Sequence, residues 1–151
     1  MATKDDDPLG ITPDEDMAIR TVIGEAAKEG PKGWRAVAGV IANRAKADNK
    51  NFKDVVLAKN QFEPWDKRRG ELRGIDHNSS EYLRVASQVL PVLRGQDPDV
   101  TGGATHFYAP KAQRALGRAA PRWDNGSGTD IGNHRFLKLN YGPKGNADGV
   151  Q

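Results

Sequence analysis

The chain is predicted to fold as a single α+β domain, with a helical body followed by a small antiparallel sheet. Its length of 151 residues is typical of one domain. Apolar residues recur at helical spacing over the first two thirds of the chain. Short runs rich in aromatic and β-branched residues come late, after residue 100, between loops that contain glycine and proline. These three observations together favour helices first and strands last.

Two amphipathic helices are predicted at the start. Thr12 is suited to cap the first helix, and Glu15 completes a capping box, so this helix is expected to run from Pro13 to about Lys28. A second helix is predicted over residues 32–47, because its apolar residues are spaced three and four apart.

The middle of the chain predicts two further helices around an irregular stretch. Asn51 is expected to cap a short third helix, and residues 60–78 are expected to be irregular. A fourth helix is predicted from Glu81 to about Leu93, with Pro91 kinking or shortening it.

The last third predicts a two-stranded sheet. Residues 104–108 are rich in aromatic and β-branched side chains and are predicted to form a strand, followed by a short helix at 111–117. Residues 121–132 are expected to be loop, and residues 134–139 to be the partner strand. The domain is predicted to span residues 14–141, between polar tails at 1–13 and 142–151.

Composition excludes several classes of protein. The chain has no cysteine, which rules out disulfides, thiol nucleophiles and zinc–thiolate sites. Its 23 basic and 20 acidic residues give a net charge of +3, too small an excess for a dedicated nucleic-acid binder. Arg114, Arg118 and Arg122 are interpreted as a solvated basic face. No apolar run is long enough for membrane insertion.

Glu25 is the first candidate for chemistry. It follows Val22 by three residues and Ala18 by seven, so it projects near the apolar stripe of the first helix, where desolvation raises the pKa of a carboxyl. A carboxylic acid that keeps its proton near neutral pH can protonate the leaving oxygen of a glycosidic bond. The alternative is a glutamate at the stripe edge that reaches solvent or pairs with lysine. Glu29 is expected to repel Glu25 and raise a pKa, or else to be a solvated helix end.

The three histidines, His77, His106 and His134, match no metal-binding motif, and no two lie one helical turn apart. Hydrogen-bonding or packing roles are therefore favoured, and no metal or cofactor is expected. His106 and His134 lie on the two predicted strands and are expected to be able to face one cleft.

Aromatic residues in or beside loops offer flat faces that stack on sugar rings. These residues are Phe62, Trp65, Phe107, Tyr108 and Trp123. Core filling is the alternative for each of them, and it is favoured for Phe107. Tyr108 alternates to the other side of the strand and is the better candidate for a cleft.

Several ordered segments resemble the SleB/CwlJ-type cell wall hydrolases. Residues 23–30 read IGEAAKEG, where that family has G-E-A-R-G-E, and the next helix contains the pair Asn43-Arg44, as the family's does. Later blocks also resemble the family: QF at 61–62, DPDVTGGATHFY at 97–108 and the last strand. The resemblance covers about residues 14–139, and the main departure is Ala27-Lys28 in place of Arg-Gly.

The resemblance implies a lysozyme-like domain that cleaves the bond between N-acetylmuramic acid (MurNAc) and N-acetylglucosamine (GlcNAc) in peptidoglycan. Glu25 occupies the position of the family's catalytic acid. No second carboxylate stands at a recognisable spacing, which favours lytic transglycosylation over hydrolysis. The expected substrate-binding residues are Glu29, Gln61, Phe62, His106, Tyr108, Trp123 and His134.

Two rival functions stay open. One is a zinc-dependent amidase that uses the three histidines, and the other is a non-catalytic wall-binding or virion module. The first residues do not resemble a secretory signal. We therefore expect a monomeric phage endolysin that stays in the host cytoplasm until it is released to the wall, or one carried in a virion. Its expected partner is the peptidoglycan glycan strand, and not nucleic acid.

Overall fold

The structure is a computed structural model that describes residues 9–59 and 61–139. In chain order its elements are α1 (Pro13–Ala26), α2 (Pro31–Asp48), α3 (Phe52–Leu57), α4 (Glu63–Lys67), α5 (Arg69–Arg73), α6 (Ser80–Leu93), β1 (His106–Tyr108), α7 (Pro110–Ala115), β2 (Thr129–Ile131) and β3 (His134–Leu137). The helices α1 to α6 precede the sheet and α7 lies between β1 and β2, so the predicted α+β class is confirmed.

The start of α1 is fixed by a complete capping box. The Glu15 amide donates to Oγ1 of Thr12 at 3.1 Å, and the Thr12 amide donates to Oε1 of Glu15 at 3.0 Å. These bonds satisfy the backbone amides of Thr12 and Glu15. The Glu15 amide is one of those that the helix itself leaves without a hydrogen-bond partner. The helix ends at Ala26, earlier than the predicted Lys28, so Glu29 lies beyond its last turn.

The core lies where α1, α2 and α6 pack together. Its fully buried side chains follow the predicted apolar stripes and include Ala18, Ile19, Val22, Val37, Ile41, Val85 and Val89. The indole Nε1 of Trp34 donates to the carbonyl of Ala26 at 3.0 Å. This bond holds the beginning of α2 against the end of α1.

Two predictions about helix ends have different outcomes. Asn51 caps α3 as predicted, since its Oδ1 accepts a hydrogen bond from the Asp54 amide at 2.8 Å. Pro91, in contrast, does not shorten α6, which continues to Leu93. The following residues Val92 and Leu93 are buried, and this packing compensates for the hydrogen bond that a proline cannot donate.

The prediction that residues 60–78 are irregular is wrong, because α4 and α5 form within them. Each helix has only five residues, which is too short to show a helical period in the sequence. Pro64, which reads as a helix breaker, occupies the first turn of α4, where proline is tolerated. The indole Nε1 of Trp65 donates to Oγ1 of Thr21 at 2.7 Å and so docks α4 on α1.

The sheet has three antiparallel strands in the order β1-β3-β2, one more than predicted. β2 lies inside the segment 121–132 that was expected to be loop. It has three residues, of which only Ile131 is buried, so it carries no alternating apolar pattern that a sequence could reveal.

The register places the two strand histidines on opposite faces of this sheet. His106 pairs with Leu137, while His134 pairs with Ile131. His134 is three residues from Leu137 along β3, and side chains alternate between faces, so an odd separation puts it on the other face. The expectation that His106 and His134 face one cleft is therefore wrong.

Residues 9–11 contact the domain more closely than a polar tail predicts. Leu9 and Ile11 pack against the core, and the Arg94 guanidinium donates to the carbonyl of Gly10 at 3.1 Å. Residues 1–8 and the predicted tail at 142–151 lie outside the described residues. Within the part that is described, no helix is long and apolar enough to cross a membrane.

Candidate active site

Glu25, in the last turn of α1, has the most unusual environment of the acidic side chains described. Its Oε2 is buried and makes no hydrogen bond with any described residue. Burial raises the pKa of Glu25 from 4.5 to about 8, and the negative charge of Glu63 raises it further within that shift. Arg68 and Arg44 lower this pKa by smaller amounts. Glu25 therefore keeps its proton at neutral pH.

The burial of Glu25 results from the close approach of α4 and α5 to α1. A Cβ atom at Gly24 would lie 2.8 Å from Cδ2 of Leu72 and 2.9 Å from Cβ of Pro64. Only glycine allows the elements to pack this closely. Arg68 Nη2 then donates to the Gly24 carbonyl at 2.8 Å, which brings its guanidinium close to Glu25.

A cavity of about 470 Å³ adjoins this end of α1. Glu25 lines it together with Lys28, Glu29, Arg68 and Glu81. The walls thus contain charges of both signs around an acid that is itself neutral, which suits a polar ligand.

Arg44 is a site residue that the sequence prediction did not select. It is fully buried, its Nε donates to the Thr105 carbonyl at 2.6 Å, and its Nη1 donates to Oε1 of Gln61 at 2.5 Å. Arg44 therefore connects α2 to β1 and to Gln61, one of the predicted binding residues. The sequence contained a signal for Arg44, because it lies seven residues after Val37 on the buried stripe of α2. A charged side chain at a buried position needs hydrogen-bond partners.

Trp123 packs against the sheet face that carries His106 and Tyr108. Its ring centroid lies 4.9 Å from that of His106 and 5.5 Å from that of Tyr108 in a T-shaped contact. Burial and the positive charge of Arg44 lower the pKa of His106 to about 4, so its ring is neutral at pH 7. Trp123 itself is half-buried and keeps part of its ring accessible.

Asp124 holds this tryptophan loop in place. The Tyr108 hydroxyl donates to Oδ2 of Asp124, and Arg135 Nη1 donates to the same oxygen at 3.3 Å. The Gly126 amide donates to Oδ1 at 2.9 Å. Tyr108, 2% exposed, therefore uses its hydroxyl to anchor the loop. Asp124 and Arg135 gave no signal in the sequence, because their roles depend on the loop folding over β1.

Glu29 is held by the turn between β2 and β3. Its oxygens accept from the Asn133 amide at 2.7 Å and from Nδ2 of Asn133 at 3.0 Å, and Nδ1 of His134 lies 3.6 Å away. These donors outweigh burial and lower the pKa of Glu29. The expected repulsion between Glu29 and Glu25 is wrong, since Glu63 is the carboxylate that raises the pKa of Glu25.

Phe62 lies in the core. It is 0% exposed, its ring centroid is 6.3 Å from that of Phe107, and the Arg44 guanidinium lies over its face. Stacking of Phe62 on a sugar stays a prediction that this burial does not favour. Phe107 fills the core as predicted.

The three histidines do not form a metal site. His77 is exposed in the turn before α6, and the other two lie on opposite faces of the sheet. Across residues 9–59 and 61–139, no group of three or more ligating side chains could hold a metal ion. The arrangement therefore gives no support to a histidine-based zinc amidase.

The fold and this geometry define a mainly helical domain with a buried carboxylic acid that retains its proton beside a cavity. Residues 28–137 match the Cell Wall Hydrolase family, and the chain belongs to that family, in its SleB/CwlJ type. The match begins just after Glu25, so it does not itself test that residue. No curated protein sequence matches the chain with significance.

Two solved structures share this fold. The catalytic domain of the germination-specific lytic transglycosylase SleB from Bacillus anthracis is 26% identical, with a TM-score of 0.64 over 87% of this chain and 99% of that one. The catalytic domain of the Bacillus cereus SleB protein is also 26% identical, with a TM-score of 0.62 over 87% of this chain and 94% of that one. The expected resemblance to this family is thus confirmed.

Proposed function

We propose that the protein cleaves the MurNAc–GlcNAc glycosidic bond of peptidoglycan, with Glu25 as the catalytic acid. The observation that carries this proposal is the buried Oε2 of Glu25, whose burial raises the pKa of the carboxyl to about 8. Glycosidic cleavage needs an acid that is still protonated at the working pH. The similarity to a SleB lytic transglycosylase domain supports the same bond as the target.

In the first step, protonated Glu25 gives its proton to the glycosidic oxygen. The bond from C1 of MurNAc to that oxygen breaks, and its electron pair leaves with the GlcNAc hydroxyl. Positive charge then develops at C1 and the adjacent ring oxygen. The neutral acid is well suited to this step, because it enters the reaction with the proton that the leaving group requires.

In the second step, the Glu25 carboxylate takes the proton from the 6-hydroxyl of the same MurNAc. The oxygen of that hydroxyl bonds to C1 and closes a 1,6-anhydro ring. Glu25 is protonated again, so one carboxyl completes the cycle. Trp123 would stack on a sugar ring, and Gln61 would hydrogen-bond polar groups of the glycan.

Hydrolysis is the second candidate, and Glu63 favours it. This exposed residue begins α4, and it is near enough to Glu25 for its charge to raise the pKa of that carboxyl. A second carboxylate facing the acid could activate a water molecule, as in hydrolytic glycosidases. The sequence prediction did not identify this residue, because the proximity depends on α4 docking on α1.

Mass spectrometry of digested peptidoglycan distinguishes the two reactions. Transglycosylation predicts fragments that end in 1,6-anhydro-MurNAc, which are lighter by one water than the reducing-end fragments of hydrolysis. Reducing-end products alone would refute transglycosylation, and the Glu63→Gln variant would then be expected to lose activity. Fragments cut between muramic acid and the peptide would refute glycosidic cleavage altogether.

The role in lysis and the cellular location stay predictions. We propose that the protein acts in phage lysis. Neighbouring genes for a membrane pore and for virion proteins would support this role. A gene within a sporulation cluster would contradict it.

A further inference from the structure

A groove of about 150 Å³ lies between α7 and the turn that joins β2 to β3. One wall is α7, which contributes Lys111 and Arg114. The opposite wall carries Asp130, His134 and Arg135. The mechanism proposed above uses none of the α7 residues.

The α7 wall is basic, and its charges have no partner among the residues that the structure describes. Lys111 and Arg114 lie three residues apart, so they share one face of the helix. Both are exposed, and neither makes a hydrogen bond or an ion pair with a residue in 9–59 or 61–139. Residues 104–123 contain four basic side chains and no acidic one. The density of positive charge in this segment is therefore much higher than the net charge of +3 over the whole chain of 151 residues implies.

The opposite wall does not neutralise these cations. Its one carboxylate, Asp130, already accepts from Arg135 Nε at 2.8 Å. Arg135 also bonds Asp124, which lies outside the groove lining. The charge left without a partner in the groove is therefore positive, and it would attract a carboxylate.

The groove is close to the proposed catalytic acid. His134 lines it, and Nδ1 of His134 is 3.6 Å from Oε1 of Glu29. Glu29 in turn lines the same cavity as Glu25. An extended peptide covers about 3.3–3.6 Å per residue, so a peptide of a few residues would span from a sugar at Glu25 to this groove.

Resting on the proposed function, we propose that the groove binds a carboxylate of the stem peptide that peptidoglycan carries on the lactyl group of muramic acid. Lys111 and Arg114 supply the positive charge, and Arg114 offers the forked donors that pair with a carboxylate. The groove would make the enzyme prefer glycan strands that carry peptides over strands without them.

The test compares two soluble substrates, glycan strands that carry stem peptides and the same strands after an amidase has removed them. The variant combines Lys111→Ala with Arg114→Ala. Two exposed ion pairs are worth about three- to tenfold in binding, so KM for peptide-bearing strands should rise by that factor with kcat unchanged. KM for stripped strands should stay the same.

The control combines Lys46→Ala with Arg84→Ala, two exposed cations on α2 and α6. This variant has the same net charge as the first, so it measures any general attraction between protein and polymer. An equal rise in KM for the control, or an equal rise on both substrates, would overturn the subsite.

The Glu25→Gln variant separates this proposal from the function on which it rests. If Glu25→Gln still cleaved both substrates, the proposed acid would be wrong, whatever the groove binds. If it were inactive while Lys111→Ala with Arg114→Ala behaved as wild type on both substrates, the groove proposal alone would fail. Circular dichroism of each variant verifies that all of them are folded.

Discussion

Glu25 and Glu29 lie four residues apart near the same end of α1, yet the pKa of one carboxyl is raised and that of the other is lowered. Oε2 of Glu25 is buried without a hydrogen bond to a described residue, and burial raises its pKa to about 8. Glu29 accepts two hydrogen bonds from Asn133, and these bonds lower its pKa. Burial raises the pKa of both carboxyls, but at Glu29 the hydrogen bonds from Asn133 and the nearby His134 outweigh it.

The difference lies in what each shielding element offers. The helices that cover Glu25 bring an apolar side chain, Leu72, and a proline, Pro64, against the neighbouring Gly24. The turn that covers Glu29 brings backbone and side-chain N–H groups. Gly132 makes this second approach possible, since it has a φ of 60° and a Cβ there would lie 2.5 Å from Oε1 of Glu29. The Glu25 carboxyl therefore retains a proton, whereas the Glu29 carboxylate stabilises the turn between β2 and β3.

The largest expected difference between the two residues is in activity. Glu25→Gln should reduce glycan cleavage by about 10²- to 10⁴-fold, the usual contribution of general acid catalysis. Glu29→Gln is the comparison variant, with the same isosteric substitution at a neighbouring carboxyl, and should retain most of the activity. Release of soluble fragments from peptidoglycan measures both. Full activity in Glu25→Gln would break the comparison.

The second difference is in stability, where the two substitutions should have opposite signs. The raised pKa of Glu25 means that the folded state holds this proton more tightly than the unfolded state does. The free energy of unfolding therefore falls as pH rises from 4.5 towards 8. Glutamine cannot ionise, so at pH 8 the Glu25→Gln variant should avoid this loss and be more stable than wild type by about 2–4 kcal/mol.

Glu29→Gln should instead destabilise the protein by about 1 kcal/mol at pH 7, because it weakens the bonds to Asn133. The lowered pKa of Glu29 places this contribution above the pKa of the unfolded state, and it should be lost as pH falls through the folded-state pKa. Urea denaturation at pH 4, 7 and 8 measures both signs. Equal effects of the two variants at pH 8 would contradict the comparison.

Much of this contrast could not be read from the sequence. The capping residues Thr12 and Glu15 predicted the start of α1, and the helical spacing predicted that Glu25 projects near the apolar stripe. The lowered pKa of Glu29 depends on hydrogen bonds from Asn133, which is 104 residues away along the chain. The charge that faces Glu25 depends on α4, a five-residue helix too short to be recognised by periodicity. Local sequence patterns thus predict helices and their buried faces. They do not predict which hydrogen-bond donors and charges lie near each carboxyl, because these are brought there by tertiary contacts.

Asp124 is a third carboxylate to compare, and it positions the loop that carries Trp123. Asp124→Ala should release the Tyr108 hydroxyl and loosen the loop that carries Trp123, with about a three- to tenfold rise in KM and little change in kcat. The other two tryptophans, Trp34 and Trp65, are buried, so greater quenching of fluorescence by acrylamide would report Trp123. Unchanged quenching and unchanged KM would remove Asp124 from the site.

The smallest expected effects come from the charges that face Glu25. Glu63→Gln removes a negative charge and should lower the pKa of Glu25, while Arg68→Gln removes a positive charge and should raise it. Activity should fall as pH rises through the pKa of Glu25. The alkaline limb should therefore move to lower pH in Glu63→Gln and to higher pH in Arg68→Gln, each by a few tenths of a unit. Shifts in the same direction would show that another group controls this limb.

The central claim is that Glu25 retains its proton at neutral pH while Glu29 does not. Titration of the side-chain carboxyl carbons by nuclear magnetic resonance measures both residues in one sample, with the Glu25→Gln and Glu29→Gln variants assigning the two signals. The structure predicts that Glu25 titrates near pH 8 and Glu29 below pH 4.5. If Glu25 also titrated at or below 4.5, it would be ionised at neutral pH, and the account of Glu25 as the catalytic acid would be contradicted.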